Sequence, residues 1–328
     1  MIKTIVGGKE SIEEGGRIIR EGGLVAFPTE TVYGLGADAF NAEAVKSIFV
    51  AKGRPQDNPL IVHIADIEEA VNVAEYVPDT FYKLAEKFCP GPLTMICKKR
   101  ADLPLTTTGG LQTVGIRCPN HDMARSLIRA AGCPIAAPSA NLSGKTSPTE
   151  ARHVYEDMNG RIPLILDGGK TQVGIESTVL DLTKDMPVVL RPGAVTVEML
   201  AEVLGKVVNH QGKVVIAEAP GMKYKHYAPT CPCIGAQKTE DAVAEYLRLK
   251  TEGENPVIIG SNEFLINTQG LTAISLGGSG AECTSNLFST LRDAEKVYSH
   301  IILEWFPETP EFYAINNRIH KSTASKHL

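Results

Sequence analysis

Several features are missing from this 328-residue sequence, and each absence argues against a class of protein. No apolar run approaches the ~18 residues of a membrane-spanning helix. The N-terminus reaches Ile5 and Val6 and then becomes glycine-rich and charged, so we expect no signal peptide. Basic residues are not in excess, since 33 Lys and Arg against 38 Asp and Glu give a formal net charge of −5. A general nucleic-acid binder should be clearly basic, so this balance argues against one.

A zinc-site or redox cysteine pattern is also missing. The seven cysteines are scattered and include no Cys-x-x-Cys. Cys231 and Cys233 form the only close pair, and no second pair follows at zinc-site spacing. Scattered thiols are typical of reducing compartments. We therefore expect reduced cysteines, a cytoplasmic location and no dedicated protein metal site.

The length of the chain predicts two domains, because 328 residues exceed one ordinary core. Strand and helix patterns alternate irregularly up to about residue 208, which predicts an α/β (α+β) domain over 1–208 with a central sheet and flanking helices. Residues 209–233 are rich in Pro, Tyr and Lys without a regular period, which is typical of a linker. Strand–helix alternation over 234–328 predicts a small Rossmann-like C-terminal domain.

Four helices are predicted from local signals that the structure can test. Asn41 is a plausible N-cap for a helix that ends at Gly53. The other three are expected over Asp66–Tyr76, over Thr149–Met158 with Thr149 as its cap, and over Asn286–Glu304 as one long run.

Glycine motifs at three places resemble nucleotide-binding loops, but their spacing does not fit such loops. Residues 34–39 fit the loose G-x-G-x-x-A pattern, but the glycines lie too far before the next helix to place its N-terminus on a pyrophosphate. Two Gly-Lys-Thr triplets, at 144–146 and 169–171, lack the first P-loop glycine, since Ser139 and Leu164 stand there. We therefore expect no nicotinamide site and no Walker A motif.

Four cations recur beside Pro or Gly at the ends of predicted elements: Lys52, Arg54, Arg117 and Arg191. A single arginine at a strand end is usually a surface charge. Four cations in the same kind of position, in a protein with net negative charge, indicate an anion-binding site. We expect Lys52 and Arg54 to be exposed to a cavity.

Two polar stretches follow proline-interrupted strands, at residues 27–38 and 136–149. Their hydroxyls and amides fit either a solvated edge strand or a row of hydrogen-bonding groups at the mouth of a sheet. The second stretch suits a phosphate or a sugar. A capping loop before the Thr149 helix would explain only its last residues.

Together, these stretches resemble the YrdC-like threonylcarbamoyl-AMP synthases. The family's K-x-R and S-x-N signatures are matched by Lys52 with Arg54 and by Ser139 with Asn141. The linker and the C-terminal domain resemble the two-domain form of the family. Six ordered motifs carry the resemblance: PTETVYGLGA, KGRPQDNPLIVH, TVGIRCP, APSANLSGKTSPT, GIESTV and LRPGA.

The resemblance implies a twisted sheet with a large concave cavity, and a reaction. L-threonine, bicarbonate and ATP would yield L-threonylcarbamoyl-AMP and pyrophosphate. A separate transferase complex would then move the threonylcarbamoyl group onto an adenosine of tRNA, so this chain would bind tRNA weakly at most. Mg²⁺ is expected with ATP and would be held mainly by substrate phosphates. No protein nucleophile is needed, only positioning and neutralisation of phosphate charge.

The resemblance also implies residue roles. Arg117 would hold the threonine carboxylate as a planar fork. His63 would be either a general base or a neutral hydrogen-bonding group. Tyr224, Lys225 and Tyr227 of the linker would fold over the cavity. The implied catalytic residues are Lys52, Arg54 and His63. Those for threonine and carbamate are Thr31, His63, Arg117, Ala137 and Ser177. Those for ATP are Lys52, Arg54, Asn58, Thr113, Ser139, Asn141, Ser147, Arg191, Tyr224 and Tyr227.

Each of three alternative functions is disfavoured by a feature of the sequence. The first alternative is a binding module whose cavity holds double-stranded RNA without catalysis, which the net charge of −5 disfavours. Carbamoyl transfer in hydrogenase maturation uses a related domain, but it expects acylphosphatase-like and Cys-rich zinc modules that this sequence lacks. An oxidoreductase is disfavoured by the misplaced glycines at 34–36.

Overall fold

The computed structural model describes residues 2–210 and 227–328, so Tyr224 and Lys225 of the predicted linker lie outside the described residues. The chain divides into two compact units. Among the described residues, unit 1 holds 2–143, 148–172 and 176–210, and unit 2 holds 144–147, 173–175 and 227–328. The boundaries at 208 and 234 stay predictions. The sequence did not predict that two short segments within the first predicted domain, 144–147 and 173–175, belong to unit 2.

Unit 1 is built on a mixed sheet of eleven strands, in the order β1-β8-β2-β3-β7-β4-β6-β5-β9-β10-β11. Parallel and antiparallel neighbours alternate irregularly along it. The strands are β1 (Ile5–Gly7), β2 (Val25–Phe27), β3 (Gly34–Asp38), β4 (Ile61–His63), β5 (Leu93–Lys98), β6 (Thr113–Arg117), β7 (Ile135–Ala137), β8 (Leu164–Leu166), β9 (Thr178–Asp181), β10 (Val188–Arg191) and β11 (Val208–Asn209).

Helices flank this sheet, and apolar clusters among the described residues form the core of the unit. One cluster includes Phe49 of the second helix, and another includes Leu127 of the fourth. The described helices are α1 (Ile12–Arg20), α2 (Ala42–Lys52), α3 (Asp79–Phe88), α4 (Asp122–Ala131), α5 (Ala151–Met158) and α6 (Val197–Leu204).

Local signals predicted α2 correctly. The Asn41 side chain accepts hydrogen bonds from the backbone N–H groups of Glu43 and Ala44, each at 3.1 Å. Gly53 ends the helix with φ of 62°, a left-handed conformation that glycine adopts without steric cost. The capping residues therefore fix where Lys52 stands.

Of two other helix predictions in unit 1, one was wrong and the other was confirmed except for its cap. Asp66–Tyr76 contains only a short 3₁₀ helix at Ile67–Asn72, a weaker element than the expected α-helix. The predicted Thr149 helix begins at Ala151, and its N-cap position is Glu150. The Thr149 N–H is instead bonded to His153 Nδ1 at 3.4 Å.

The glycines of the 34–39 pattern have a packing role. They lie within β3 rather than in a loop. A Cβ on Gly36 would lie 2.6 Å from Ile135 Cγ2 and 2.9 Å from Phe27 Cε1. These neighbours leave no room for a side chain at Gly36. Packing therefore accounts for this glycine without a bound dinucleotide.

Unit 2 has a fully parallel sheet of four strands in the order β12-β15-β13-β14. Its apolar cluster includes Ile258 and Ile302 from neighbouring strands. The described elements are β12 (Cys233–Ala236), α7 (Thr239–Thr251), β13 (Pro256–Ser261), β14 (Ala273–Gly277), α8 (Gly280–Ala294), β15 (His300–Glu304) and α9 (Tyr313–Ser322).

The predicted long helix over Asn286–Glu304 was wrong. Helix α8 ends at Ala294, and the run from His300 onward is the strand β15. Val297, expected on the buried face, is 64% exposed. Residues Ile301 to Leu303 are fully buried between β12 and β13. A short apolar run fits a buried strand and a helix equally well, and its neighbours decide.

The two units confirm the predicted mixed α/β class with a small parallel C-terminal domain. Within the described ranges, no helix is long and apolar enough to cross a membrane. The concave cavity stays a prediction.

Candidate active site

Sheet register brings three of the predicted threonine-side residues onto one face of unit 1. His63 at the end of β4 pairs with Arg117 at the end of the parallel strand β6. Ala137 of β7 pairs with Ile61, two residues before His63. Paired residues and residues two apart share a face of a sheet, so the side chains of His63, Arg117 and Ala137 point to the same side.

Arg117 is held there by a carboxylate that the sequence analysis missed. Its Nη2 lies 2.8 Å from Glu30 Oε2, and the two side chains are only 5% and 4% exposed. Arg117 Nε also donates to the Gly91 carbonyl at 3.4 Å. Glu30 forms no hydrogen bond to the described residues besides this ion pair. Its signal in the sequence was a carboxylate between two threonines in PTET, within the strand-end motif.

His63 is neutral at physiological pH. Burial, followed by the nearby Arg117 charge, lowers the pKa of its imidazole to about 3. The ring packs edge-on against Phe27, with centroids 5.7 Å apart. Its Nδ1 is buried and has no hydrogen-bond partner among the described residues. A neutral imidazole with a free ring nitrogen can accept or donate one hydrogen bond, but with this pKa it is a poor base.

Ser177 lies within a network of hydrogen bonds that Arg191 anchors. The Ser177 hydroxyl is 2.8 Å from the Thr94 hydroxyl. Arg191 donates from Nη2 to Ser177 Oγ at 3.1 Å and from Nε to the Ser177 carbonyl at 3.0 Å. Thr94 precedes Met95, which pairs with Ile116 beside Arg117. The network therefore continues toward the Arg117 side of the sheet.

The turn after Arg191 requires glycine. A Cβ on Gly193 would lie 2.4 Å from the backbone nitrogen of Thr178. Only glycine allows this backbone approach, which explains the final part of the LRPGA motif. The turn thereby keeps Arg191 close to the start of β9.

Thr31 is fully buried in the loop between β2 and β3. Its hydroxyl is 2.8 Å from that of Thr29, which also donates to the Val32 carbonyl at 2.6 Å. These bonds fix the backbone on both sides of Thr31. Because Glu30 precedes it directly, the loop positions Thr31 and the partner of Arg117 together.

The predicted phosphate side is organised by Lys52, which is buried rather than exposed to a cavity. Its Nζ donates to the carbonyls of Ser139 and Asn141, each at 2.5 Å, and the residue is 3% exposed. The Ser139 hydroxyl donates to Asn141 Oδ1 at 2.5 Å. Lys52 therefore ties the end of α2 to the loop after β7. The expectation of an exposed lysine was wrong because the helix end is packed under this loop.

Arg54 is also buried, with 9% exposure, so its predicted exposure was wrong as well. Its Nη2 contacts the carbonyls of Asn58 and Pro59 at 3.5 and 3.4 Å. The side chain thus holds the proline-framed stretch against the helix end. Asn58 is fully buried, and neither its amide oxygen nor its amide nitrogen has a partner among the described residues.

Of the remaining predicted residues, Thr113 is at the other end of β6, and Ser147 and Tyr227 belong to unit 2. Thr113 begins β6 while Arg117 ends it, which separates their Cα atoms by about 13 Å. Ser147 belongs to unit 2 and is 1% exposed. Tyr227 also belongs to unit 2, where its ring stacks on Phe288 with centroids 5.2 Å apart. Tyr224 lies outside the described residues.

The residues around this site do not form a metal cage. No group of three or more His, Cys, Asp or Glu suited to a metal ion occurs in residues 2–210 and 227–328. The buried carboxylate Glu30 is already paired with Arg117. The other predicted site groups are mainly cations, hydroxyls and amides.

Unpartnered buried polar atoms indicate where a ligand belongs. Leaving a buried polar group unsatisfied costs about 1–3 kcal/mol, so native proteins leave few of them. Among the described residues they include atoms of Asn58 and His63, which are predicted substrate residues, and of Glu30, which directly precedes another one. Others occur away from these residues, on His121, Thr146, Thr149 and Thr171. Bound substrates would supply the missing partners of Asn58, His63 and Glu30.

Two family models match the chain. One is described as "Telomere recombination", for Sua5, YciO and YrdC proteins, and matches residues 17–193. The other is described as "Threonylcarbamoyl-AMP synthase, C-terminal domain" and matches residues 195–324. Together they span most of both units.

Curated relatives named threonylcarbamoyl-AMP synthase match nearly the whole chain. That of Pyrococcus abyssi is 45% identical and covers 97% of both chains. That of Bacillus subtilis is 44% identical and covers 96% of this chain and 93% of its own. The crystal structure of P. abyssi Sua5 complexed with L-threonine matches with a TM-score of 0.92 and 42% identity, over 100% of this chain and 99% of that one. The chain belongs to the Sua5/YciO/YrdC family, in its two-domain threonylcarbamoyl-AMP synthase form.

Proposed function

We propose that the chain is an L-threonylcarbamoyladenylate synthase, which converts L-threonine, bicarbonate and ATP into threonylcarbamoyl-AMP and pyrophosphate. The observation that carries this proposal is the buried Arg117–Glu30 pair beside a neutral His63. An arginine fork suits an amino-acid carboxylate. A neutral imidazole next to it can bind the threonine hydroxyl or the carbamate without adding charge.

The first step forms a carbamate. The deprotonated threonine amine adds to the carbon of CO₂, which forms the N–C bond while the C=O π pair moves onto oxygen and the amine loses a proton to solvent. Bicarbonate supplies the CO₂ by loss of its C–OH bond as water, with uptake of a proton. Arg117 holds the threonine carboxylate, while Thr31, His63 and Ser177 contact the hydroxyl and the carbamate. The backbone of Ala137, on the same face as His63, contacts the amino acid. Proximity and orientation replace a nucleophilic side chain in this step.

The second step joins the carbamate to the nucleotide. A carbamate oxygen forms a bond to the α-phosphorus, and the bond to the bridging oxygen breaks so that pyrophosphate leaves with the electron pair. Lys52, Arg54 and Arg191 would neutralise the phosphates together with Ser139, Asn141 and Ser147. Asn58, Thr113, Tyr224 and Tyr227 would contact the rest of ATP.

Cofactor and partners follow from the same reaction. Mg²⁺ would enter with ATP and take its ligands from phosphate oxygens and water. The adenylate would pass to a separate tRNA-modifying complex, and a net charge of −5 fits a protein that does not hold tRNA itself. A cytoplasmic setting is supported by seven free thiols, of which Cys97 and Cys233 have pKa values raised mainly by burial.

A mass-spectrometric assay tests the proposal. The protein is incubated with ATP, Mg²⁺, L-threonine and ¹³C-bicarbonate, and the adenylate and pyrophosphate are followed over time. We expect a labelled adenylate that requires threonine. Pyrophosphate release that is independent of threonine, or unlabelled product, would overturn the assignment. Glycine in place of threonine is the matched substrate control, because it lacks the hydroxyl.

A further inference from the structure

Unit 2 contains a cavity whose lining includes none of the predicted substrate residues. Its volume is about 860 Å³, which is within the range of pockets that bind whole small molecules. The cavity is at the carboxyl ends of the parallel strands: Ser261 ends β13, Glu304 ends β15, and Gln237 and Gly278 follow β12 and β14. Ligands of open parallel sheets bind at this edge.

A buried carboxylate lies at this edge. Glu304 is 7% exposed and lines the cavity. Its Oε2 accepts a hydrogen bond from the Ser261 N–H at 2.5 Å, and its Oε1 accepts one from the Ser261 hydroxyl at 3.2 Å. The carboxylate is therefore held in one orientation. Burial is also the main reason why the pKa of Glu304 is raised, so a cationic ligand would relieve a real desolvation cost.

The neighbouring wall is aromatic. Trp305 and Phe306 follow Glu304 directly, and Phe306 stacks on Phe312 with centroids 5.0 Å apart. Asn316 bonds to both backbone groups of Phe306, at 3.1 and 2.9 Å, which fixes the chain as it leaves β15. This wall offers contact area to an apolar body and quadrupole attraction to a cation.

The charges of the cavity exclude an anion. One lysine, Lys238, lines it together with four glutamates: Glu240, Glu263, Glu304 and Glu308. The N-terminus of α8, where a phosphate would bind, is already occupied by the chain itself, because the N–H groups of Gly278 and Ser279 donate to Glu282 Oε2 at 2.8 and 3.1 Å. The first turn of α7 carries Glu240 and Asp241.

We propose that this cavity is a binding site for a small organic amine, whose ammonium group faces Glu304 and whose apolar body packs against the wall of Trp305, Phe306 and Phe312. The volume, the buried carboxylate, the aromatic wall and the acidic lining each favour that chemistry. The site does not depend on the proposed synthase reaction, since every residue it uses belongs to unit 2.

The full chain carries its own reporter for this site. Trp305 is the only tryptophan in the sequence, so intrinsic fluorescence comes from the wall of the cavity. We would titrate the protein with 2-phenylethylamine, with the neutral 2-phenylethanol and with the anionic phenylacetate, and confirm binding by calorimetry. We expect saturable binding of the amine, weaker binding of the alcohol and none of the carboxylate.

Glu304→Gln removes the charge and keeps an oxygen that can accept from Ser261, so we expect amine binding to weaken by about tenfold or more. Glu263→Gln, at an exposed position of the lining, cannot disturb buried bonds and should weaken binding by about twofold to threefold. Glu254→Gln is the control, because Glu254 lies beside His300 at the other end of β15. Circular dichroism checks that each variant is folded.

Three results would overturn the proposal. The first is an absence of saturable amine binding at millimolar concentration. The second is binding of phenylacetate that is as tight as that of the amine. The third is unchanged amine affinity in both Glu304→Gln and Glu263→Gln. If Glu304→Gln does not fold, the Glu263→Gln result and the amine–carboxylate comparison still decide.

Discussion

Arg117 shows how single residues in this site are positioned before substrate arrives. A buried arginine needs a counter-charge, and Glu30 supplies one 2.8 Å away without any other hydrogen bond of its own. The carboxylate thus fixes one side of the guanidinium. Arg117 Nε donates to the Gly91 carbonyl. In the proposed reaction, the remaining guanidinium donors would bind a second planar anion, the threonine carboxylate.

Replacing Arg117 by Lys tests this fork. Lysine keeps the charge opposite Glu30 but cannot bind a carboxylate through two parallel bonds. We expect the KM for threonine to rise about 10–100-fold, which corresponds to the loss of one charge-assisted hydrogen bond. Steady-state kinetics at saturating ATP measures the effect. Arg129→Lys, at an exposed ion pair with Asp66, should leave the KM unchanged. An unaltered KM in Arg117→Lys would contradict the assignment.

Lys52 and Lys46 lie on the same helix and provide a matched pair. Lys52 donates to two carbonyls of the loop after β7, whereas Lys46 forms an exposed ion pair with Glu43. We expect Lys52→Ala to lower kcat/KM for ATP by more than about 100-fold and to lower the free energy of unfolding by about 2–3 kcal/mol. Lys46→Ala should change stability by less than about 0.5 kcal/mol. Equal effects of the two changes on turnover would argue against a phosphate role for Lys52.

The lowered pKa of His63 predicts how the free energy of unfolding depends on pH. Its pKa is about 3 in the folded protein, below the ordinary value of 6.5. Between these values the unfolded chain binds more protons, so the free energy of unfolding decreases as the pH falls from about 6.5 toward 3, by up to about 1.4 kcal/mol per pH unit. Above pH 6.5 this dependence ends.

Urea unfolding of the wild type and of His63→Gln over that pH range measures the slope. We expect a shallower slope in His63→Gln, while His327→Gln, at an exposed position, should keep the wild-type slope. Parallel curves for all three proteins would show that His63 is not buried as a neutral ring.

At the scale of elements, α2 connects a local signal to the active site. Its beginning is set by Asn41 and its end by Gly53, so the position of Lys52 follows from two capping residues. The loops that carry Thr31 and Ser139 are fixed by their own hydroxyl bonds. Helix ends and loop bonds, rather than a dedicated catalytic loop, place the predicted ligands.

The cap of α2 can be tested against a cap position that forms no bond. Asn41→Ala removes the side-chain bonds to two backbone N–H groups, and we expect the free energy of unfolding to fall by about 1 kcal/mol. Ser11 is the N-cap residue of α1 and makes no side-chain capping bond, so Ser11→Ala should have a smaller effect. Chemical denaturation measures both. A larger loss in Ser11→Ala would contradict the capping role.

Elements defined by local signals could be predicted from the sequence, and those defined by distant partners could not. The α2 helix was predicted because its caps, Asn41 and Gly53, directly flank it in the sequence. The strand β15 was missed because only its pairing with β12 and β13 distinguishes it from a helix. Glu30 was missed for the same reason, since its role depends on Arg117, which the chain brings close only after folding. The cavity of unit 2 could not be predicted from the sequence, because it lies at the ends of strands and one of those strands, β15, was predicted as part of a helix.

At the scale of the whole molecule, each unit has the parts of an independent domain. Unit 1 has its own sheet and core, in which Ile116 of β6 is fully buried. Unit 2 has a separate four-stranded sheet and a core that includes Ile258 of β13, also fully buried. Domains with separate cores often unfold in separate transitions.

Calorimetry with one core variant per unit tests this independence. Ile→Ala in a packed core costs about 2–5 kcal/mol. We expect two transitions, with Ile258→Ala lowering only the unit 2 midpoint by about 10 °C or more and Ile116→Ala lowering only that of unit 1 by a smaller amount, because the larger unit shifts less for the same free energy. A single transition that both variants shift equally would show that the two cores unfold together. In that case the segments to alter next would be Gly144–Ser147 and Val173–Ile175, because they belong to unit 2 while the chain around them belongs to unit 1.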